Sequence, residues 1–137
     1  MTAAGRRHRG RELALRVVFE LEGTTKDAGE VLRFQAQDIS AAPDVAAFAQ
    51  GLVLGCLEHA DAVDSVITDA SEHWALADLG KVERAVLRLA TYELLFGRDA
   101  PVAVVIDEAV ELAKAYAGDE AAAFVNGVLG RVARQQV

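Results

Sequence analysis

One cysteine, two prolines, one tryptophan and one methionine are all that this chain of 137 residues holds of those types. Cys56 has no second thiol to pair with, so no disulfide framework is available and a reducing cytosol is the expected setting. No apolar stretch approaches the roughly 18 uninterrupted residues of a membrane span. Even the segment 41–57 is broken by Pro43, Asp44, Gln50, Gly51 and Gly55. No basic segment leads into the apolar run of a signal peptide, so a cytoplasmic chain with no membrane contact is expected. A serine-nucleophile motif, a phosphate loop and a dinucleotide fingerprint are absent as well. Neither an enzyme nor a bound cofactor is expected.

Hydrophobic residues make up 53% of the chain and charged residues 26%, enough apolar surface for one packed domain and too much for a disordered chain. The net charge of −7 is unevenly spread. Residues 1–16 carry five arginines (Arg6, Arg7, Arg9, Arg11, Arg16) against Glu12, a local charge of +4, and the remaining residues carry −11. A basic arm on an acidic body points to a polyanion-binding segment, with a solubilising disordered tail as the alternative. Guanidinium groups match phosphate geometry and stack on bases. At a helix N-terminus they also oppose the macrodipole, a cost that argues for use.

Helix formers dominate and no alternation of apolar and polar residues is sustained, so the fold class is all-α. A first helix is predicted from about Arg7 to Glu22, stopped by Gly23. A short one follows over Ala28–Gln37, with Val31, Leu32 and Phe34 on its apolar side. Pro43 and Asp44 favour a helix start, followed by a stripe of Val45, Phe48, Ala49, Leu52, Val53, Cys56 and Leu57. Gly51 and Gly55 in it suggest a close helix crossing. Asp61 is expected to cap a further helix reaching Trp74. Leu79–Phe96 is apolar on more than one side and belongs in the middle of a bundle, with Lys81, Glu83, Arg84 and Arg88 outward. After Asp99-Ala100-Pro101 come a helix with the stripe Val102, Val105, Ile106, Ala109, Leu112, Ala113 and Tyr116, ended by Gly118, and a last helix of about Glu120–Arg134. Asn126-Gly127 inside the last helix implies a tight packing contact at Gly127.

Metal binding is weakly supported. Cys56 with His59, and Asp69 with His73, are helix-spaced pairs, but a zinc site needs three or four ligands, so no metal is expected. Asp107, Glu108 and Glu111 are expected to be the solvated face of their helix.

Several blocks carry a family resemblance: the arginine-rich start Arg6–Arg16; the line Leu79-Gly80-Lys81-Val82-Glu83-Arg84-Ala85-Val86-Leu87-Arg88-Leu89-Ala90-Thr91-Tyr92-Glu93-Leu94; Asp99-Ala100-Pro101; Val105-Ile106-Asp107-Glu108-Ala109-Val110-Glu111-Leu112-Ala113-Lys114; and Phe124-Val125-Asn126-Gly127-Val128-Leu129. Together they resemble the NusB family of transcription antitermination factors over nearly the whole chain. The resemblance implies about seven helices in two subdomains, an N-terminal one of about 6–60 and a C-terminal one of about 61–137. It implies RNA binding to boxA of ribosomal RNA operons together with NusE, a small-subunit ribosomal protein, and recruitment of an antitermination complex to RNA polymerase. By position, Arg6, Arg7, His8, Arg9, Arg11 and Phe124 fall on the family's RNA surface, and Phe19 and Glu83 on the NusE side. The chain departs from the family pattern at His8, Gly10 and Ala123; Gly10 costs a helix about 1 kcal/mol relative to alanine. Two alternatives stand beside this reading. One is a helical domain like that preceding the catalytic domain of ribosomal RNA cytosine methyltransferases, disfavoured because no nucleotide-binding domain follows. The other is a structural adaptor or homodimer.

Overall fold

The computed structural model describes residues 2–72, 74–97 and 99–137. The pair Asp69 and His73 lies partly outside them. Every regular element among the described residues is helical: α1 (Ala3–Leu21), α2 (Ala28–Asp38), α3 (Pro43–Glu58), α4 (Ala60–Ala70), α5 (Lys81–Tyr92), α6 (Val102–Ala117) and α7 (Asp119–Gln136), with a 3-10 turn at Leu76–Asp78 and a π-helical turn at Glu93–Gly97. The chain divides into two compact units, Met1–Leu57 and Glu58–Val137.

In the first unit, α1 starts earlier than its arginines suggest. Thr2 caps it, its hydroxyl oxygen accepting the Gly5 N–H at 3.0 Å, so Arg6 is the fourth helical residue. The second half buries Leu13, Ala14, Leu15, Val17 and Val18, and Gly23 takes a φ of 74° just past the helix end, where a residue without Cβ is unstrained. Helix α2 lies against α1 and buries Val31 and Leu32. Phe34, expected beside them, is 65% exposed, because its position falls on the outer side of a helix with one buried stripe. Helix α3 buries Val45, Ala49, Leu52, Val53 and Cys56. Gly51 faces open space, with nothing within 4 Å of an added Cβ, so among the described residues no helix crosses closely at Gly51. Leu57 is likewise exposed.

In the second unit, α5 packs against α4, α6 and α7, the central place its two apolar rows require, burying Ala85, Val86, Leu87, Leu89 and Ala90. Helices α6 and α7 form a hairpin turned by Gly118, whose φ of 97° stops α6. Arg88 is not outward as expected. It reaches α4 as a two-pronged donor, Nε at 2.9 Å from Asp64 Oδ1 and Nη2 at 3.2 Å from Oδ2. Asp61 does not cap α4; it sits in the first turn, where its charge still favours the positive helix end. That helix stops at Ala70, four residues before Trp74. Gly127 makes no tight contact either: an added Cβ would meet only Arg131 Nη1 at 3.9 Å. Tyr116, at the end of the α6 stripe, is 41% exposed.

Thr91 is fully buried in α5, and its hydroxyl has no hydrogen-bond partner among the described residues. An unsatisfied buried hydroxyl costs roughly 1–3 kcal/mol. Thr91→Val, which keeps the shape and removes the polar atom, is therefore expected to stabilise the protein by about 1 kcal/mol in urea denaturation; a loss of stability would show that the hydroxyl is satisfied in solution.

Candidate nucleic-acid interface

The arginines of α1 divide into those the fold consumes and those it presents. Arg16 donates from Nε to Gln35 Oε1 at 3.0 Å and pairs through Nη2 with Asp38 at 2.7 Å, tying α1 to α2. Arg9 donates to the Ile39 carbonyl and lies 3.6 Å from Glu12. Arg11 is buried, with 8% of its surface exposed. Arg6 and Arg7 are exposed and His8 is half-buried. The helix begins at Ala3, so the macrodipole penalty expected for the run is largely avoided; the effect fades within the first turn.

Phe48 of α3 organises this surface. Its ring lies 4.3 Å from the Arg7 guanidinium carbon and 5.5 Å from that of Arg11, positions one helical turn apart on α1. Gly10 lies between them on the same face, and a Cβ built there would overlap the Phe48 ring at Cδ2. The glycine that weakens α1 as a helix thus makes the slot for the ring on which two arginines stack. One turn before Phe48, Asp44 accepts from Arg6 Nε at 3.0 Å. Ala3, Arg6, Arg7, Asp44, Ala47 and Phe48 line a groove of about 460 Å³.

Phe19 lies eight positions beyond Arg11, about 12 Å along the helix at 1.5 Å per residue, and is not part of this cluster. It is 38% exposed. Beside it, Gln35 Nε2 donates to Glu20 at 2.7 Å and the Lys26 ammonium lies 3.1 Å away, and these contacts, Gln35 first, hold the Glu20 carboxyl below the usual glutamate range. Whatever stability this adds is present above the ordinary glutamate value and is lost as pH falls through the lowered one.

In the second unit, Phe124 of α7 and Glu83 of α5 share one groove of about 320 Å³, although the resemblance assigns them to different ligands. Trp74, 54% exposed, meets Phe124 edge to face, ring centres 6.4 Å apart at 84°. Asp78 and Glu120 complete the rim, so the groove combines aromatic faces with three carboxylates. The Glu83 side chain folds over Gly80, where an added Cβ would collide with its carboxylate, and it makes no hydrogen bond or ion pair with the described residues. Such a groove repels phosphate and suits a cationic side chain or the face of a base.

Asp107 and Glu111 are exposed on the outer side of α6, with Glu108 half-buried between them. Cys56 is a buried core thiol. His59, at the N-cap position of α4, makes no side-chain cap bond; its ring stacks on Phe96 at 4.0 Å. Asp44, Phe48 and Trp74 are the residues that sequence reasoning did not assign to a site. A lone tryptophan just outside a helix was the available signal for Trp74; nothing in the local pattern distinguishes Phe48 from core.

Packing and propensity oppose each other at Gly10. Alanine would favour the helix by about 1 kcal/mol, while forcing Phe48 from its slot costs about 1–3 kcal/mol. Gly10→Ala is expected to lower the thermal midpoint by a few degrees, and Gly10→Ala combined with Phe48→Leu to recover it. A stabilised single variant would mean that the slot is not tight.

The chain matches the NusB family over residues 8–134. It is 43% identical to the transcription antitermination protein NusB of Sorangium cellulosum, across 94% of this chain and 92% of that protein. Its fold superposes on T. maritima NusB with a TM-score of 0.87 at 37% identity, covering 95% of this chain and 92% of the other. It superposes equally, with a TM-score of 0.87 at 29% identity over 95% and 97% of the two chains, on a structure of the antitermination factors NusB and NusE in complex with double-stranded RNA. No helix among the described residues is long and apolar enough to cross a membrane. With seven α-helices among the described residues and near-complete overlap in sequence and structure, the chain belongs to the NusB family.

Proposed function

We propose that this protein is an RNA-binding transcription antitermination factor of the cytoplasm, which pairs with NusE on boxA RNA of ribosomal RNA operons and joins the antitermination complex with RNA polymerase. The observation that carries the reading is the cationic face of α1, where Arg6 and Arg7 are exposed and Arg7 is stacked in place on Phe48. Fixed arginines on a helix meet a phosphate backbone without first losing side-chain freedom. Arg6 and Arg7 make the main phosphate contacts. His8, Arg9 and Arg11 flank them with part of their donor capacity already engaged, and Phe124 offers a ring to a base. Phe19 and Glu83 face NusE, Glu83 with a carboxylate that has no partner among the described residues.

The whole protein carries a net charge of −7, so a short cationic face binds RNA weakly alone and gains from a second protein surface. Titration with a boxA-like single strand is expected to give a higher affinity when NusE is saturating; an affinity indifferent to NusE would contradict the pairing.

Each phosphate contact to a single strand contributes about 0.7 to the slope of log K against log salt. Replacing Arg6 and Arg7 together with alanine is expected to flatten the slope by about 1.4, with a fall in the thermal midpoint of only a few degrees, since what is lost is one cation–π contact and one exposed ion pair. An unchanged slope would move the RNA site to another face. Glu83→Lys is expected to weaken NusE binding about tenfold or more through like-charge or lost-pair effects, with unaltered helical circular dichroism. Equal affinities in calorimetry would remove Glu83 from that interface.

A further inference from the structure

We propose that the groove between the first turns of α1 and α3 is a nucleobase subsite for one unpaired guanine, stacked on the Arg7 guanidinium and read by the Asp44 carboxylate. The inference rests on the RNA-binding reading above and adds what that face recognises besides phosphate.

The stacking surface is already assembled. The Arg7 guanidinium carbon sits over the Phe48 ring, 4.3 Å from its centroid, and Arg7 is exposed and lines the groove. A guanidinium backed by an aromatic ring is a flat, oriented platform, and unstacked bases bind on such planes. The groove's 460 Å³ lies within the roughly 300–1,000 Å³ typical of small-ligand sites. Its remaining walls include Ala3 and Ala47, whose small side chains leave room for a planar ring.

Asp44 supplies the selectivity. Its Oδ2 accepts from Arg6 Nε and its Oδ1 from the Val45 N–H, each at 3.0 Å. An ionised carboxylate has about four acceptor positions, so both oxygens keep acceptor capacity. The side chain is 61% exposed, which leaves it open to a ligand. Guanine presents two parallel donors, N1–H and the N2 amino group, spaced to meet both oxygens of one carboxylate. Adenine and cytosine each place a ring acceptor beside their amino group, against a carboxylate lone pair, and uracil offers one N–H between two carbonyls. A carboxylate among arginines also weakens general attraction for phosphate. A device for discrimination rather than affinity fits that arrangement.

The test uses the full chain and three oligouridylate dodecamers, carrying a single central guanosine, inosine or adenosine, with binding followed by fluorescence anisotropy at one salt concentration. The guanosine oligomer is expected to bind about tenfold tighter than the adenosine one, the scale of one bidentate base contact, with inosine between because it keeps N1–H and lacks the amino group. Asp44→Asn is expected to raise affinity for all three by removing a negative charge, and to collapse the guanosine preference to within about twofold. Phe48→Leu is expected to weaken all three together. Circular dichroism checks that the variants stay helical; Asp44 is exposed, so Asp44→Asn carries the decision. Equal binding of the three oligomers by the unaltered protein, or a guanosine preference that Asp44→Asn leaves intact, overturns the subsite. Binding of boxA-like RNA with a normal salt slope in the same preparation would show that the broader RNA reading stands when the subsite fails. Absence of binding to any RNA, with NusE saturating, would remove both.

Discussion

Helix α1 has to be core over its second half and cationic over its first, and the contact of Phe48 with Gly10 reconciles the two demands. Leu13, Ala14 and Val17 have no exposed surface, so the register of the helix is fixed by burial and its arginines must point where that register sends them. Two of those positions, Arg7 and Arg11, point at α3. An apolar neighbour there would strip water from guanidinium groups without compensation. An aromatic ring instead offers the negative face of its quadrupole, and the missing Cβ of Gly10 lets the ring come close. Asp44, one turn earlier on α3, deals with Arg6 in the same way.

The result is a basic surface with graded freedom. Arg16 and Arg9 act as struts to α2 and to the segment after it, Arg11 is buried packing, and Arg7 and Arg6 are held from one side while open on the other. The second unit shows the reverse chemistry. Its groove places Trp74 and Phe124 among Asp78, Glu83 and Glu120, so it favours cations and base faces where the α1 surface favours phosphate. A protein with a net charge of −7 binds RNA selectively only if the attraction is confined to such a surface.

Much of this was legible in the sequence because helices announce themselves by period and punctuation. Gly118 ends α6, Pro43 begins α3, and the two apolar rows of α5 placed it at the centre. Where the reading failed, it inferred a partner from spacing alone. Phe34 and Leu57 continue apolar stripes yet face outward, Gly51 and Gly127 suggest close approaches that do not occur among the described residues, and Gly10, which makes room for Phe48, reads as a defect. The arginine run was visible as composition. What holds it was not, because Phe48 and Asp44 lie more than thirty residues away and look locally like core and helix start. Trp74 and Glu83 come to line one groove for the same kind of reason, through a turn whose path no local pattern encodes.

The proposed contact of the α1 surface with RNA runs through arginines that the fold has placed. Arginine side-chain Nε–H resonances report each guanidinium separately, so a ¹⁵N NMR titration with a boxA-like single strand tests it directly. Arg6 and Arg7 are expected to shift and broaden early, Arg9 and Arg11 less, while Arg16, locked to Asp38 and Gln35, stays in place. Shifts confined to arginines outside α1, or an Arg16 that moves as much as Arg7, would contradict it.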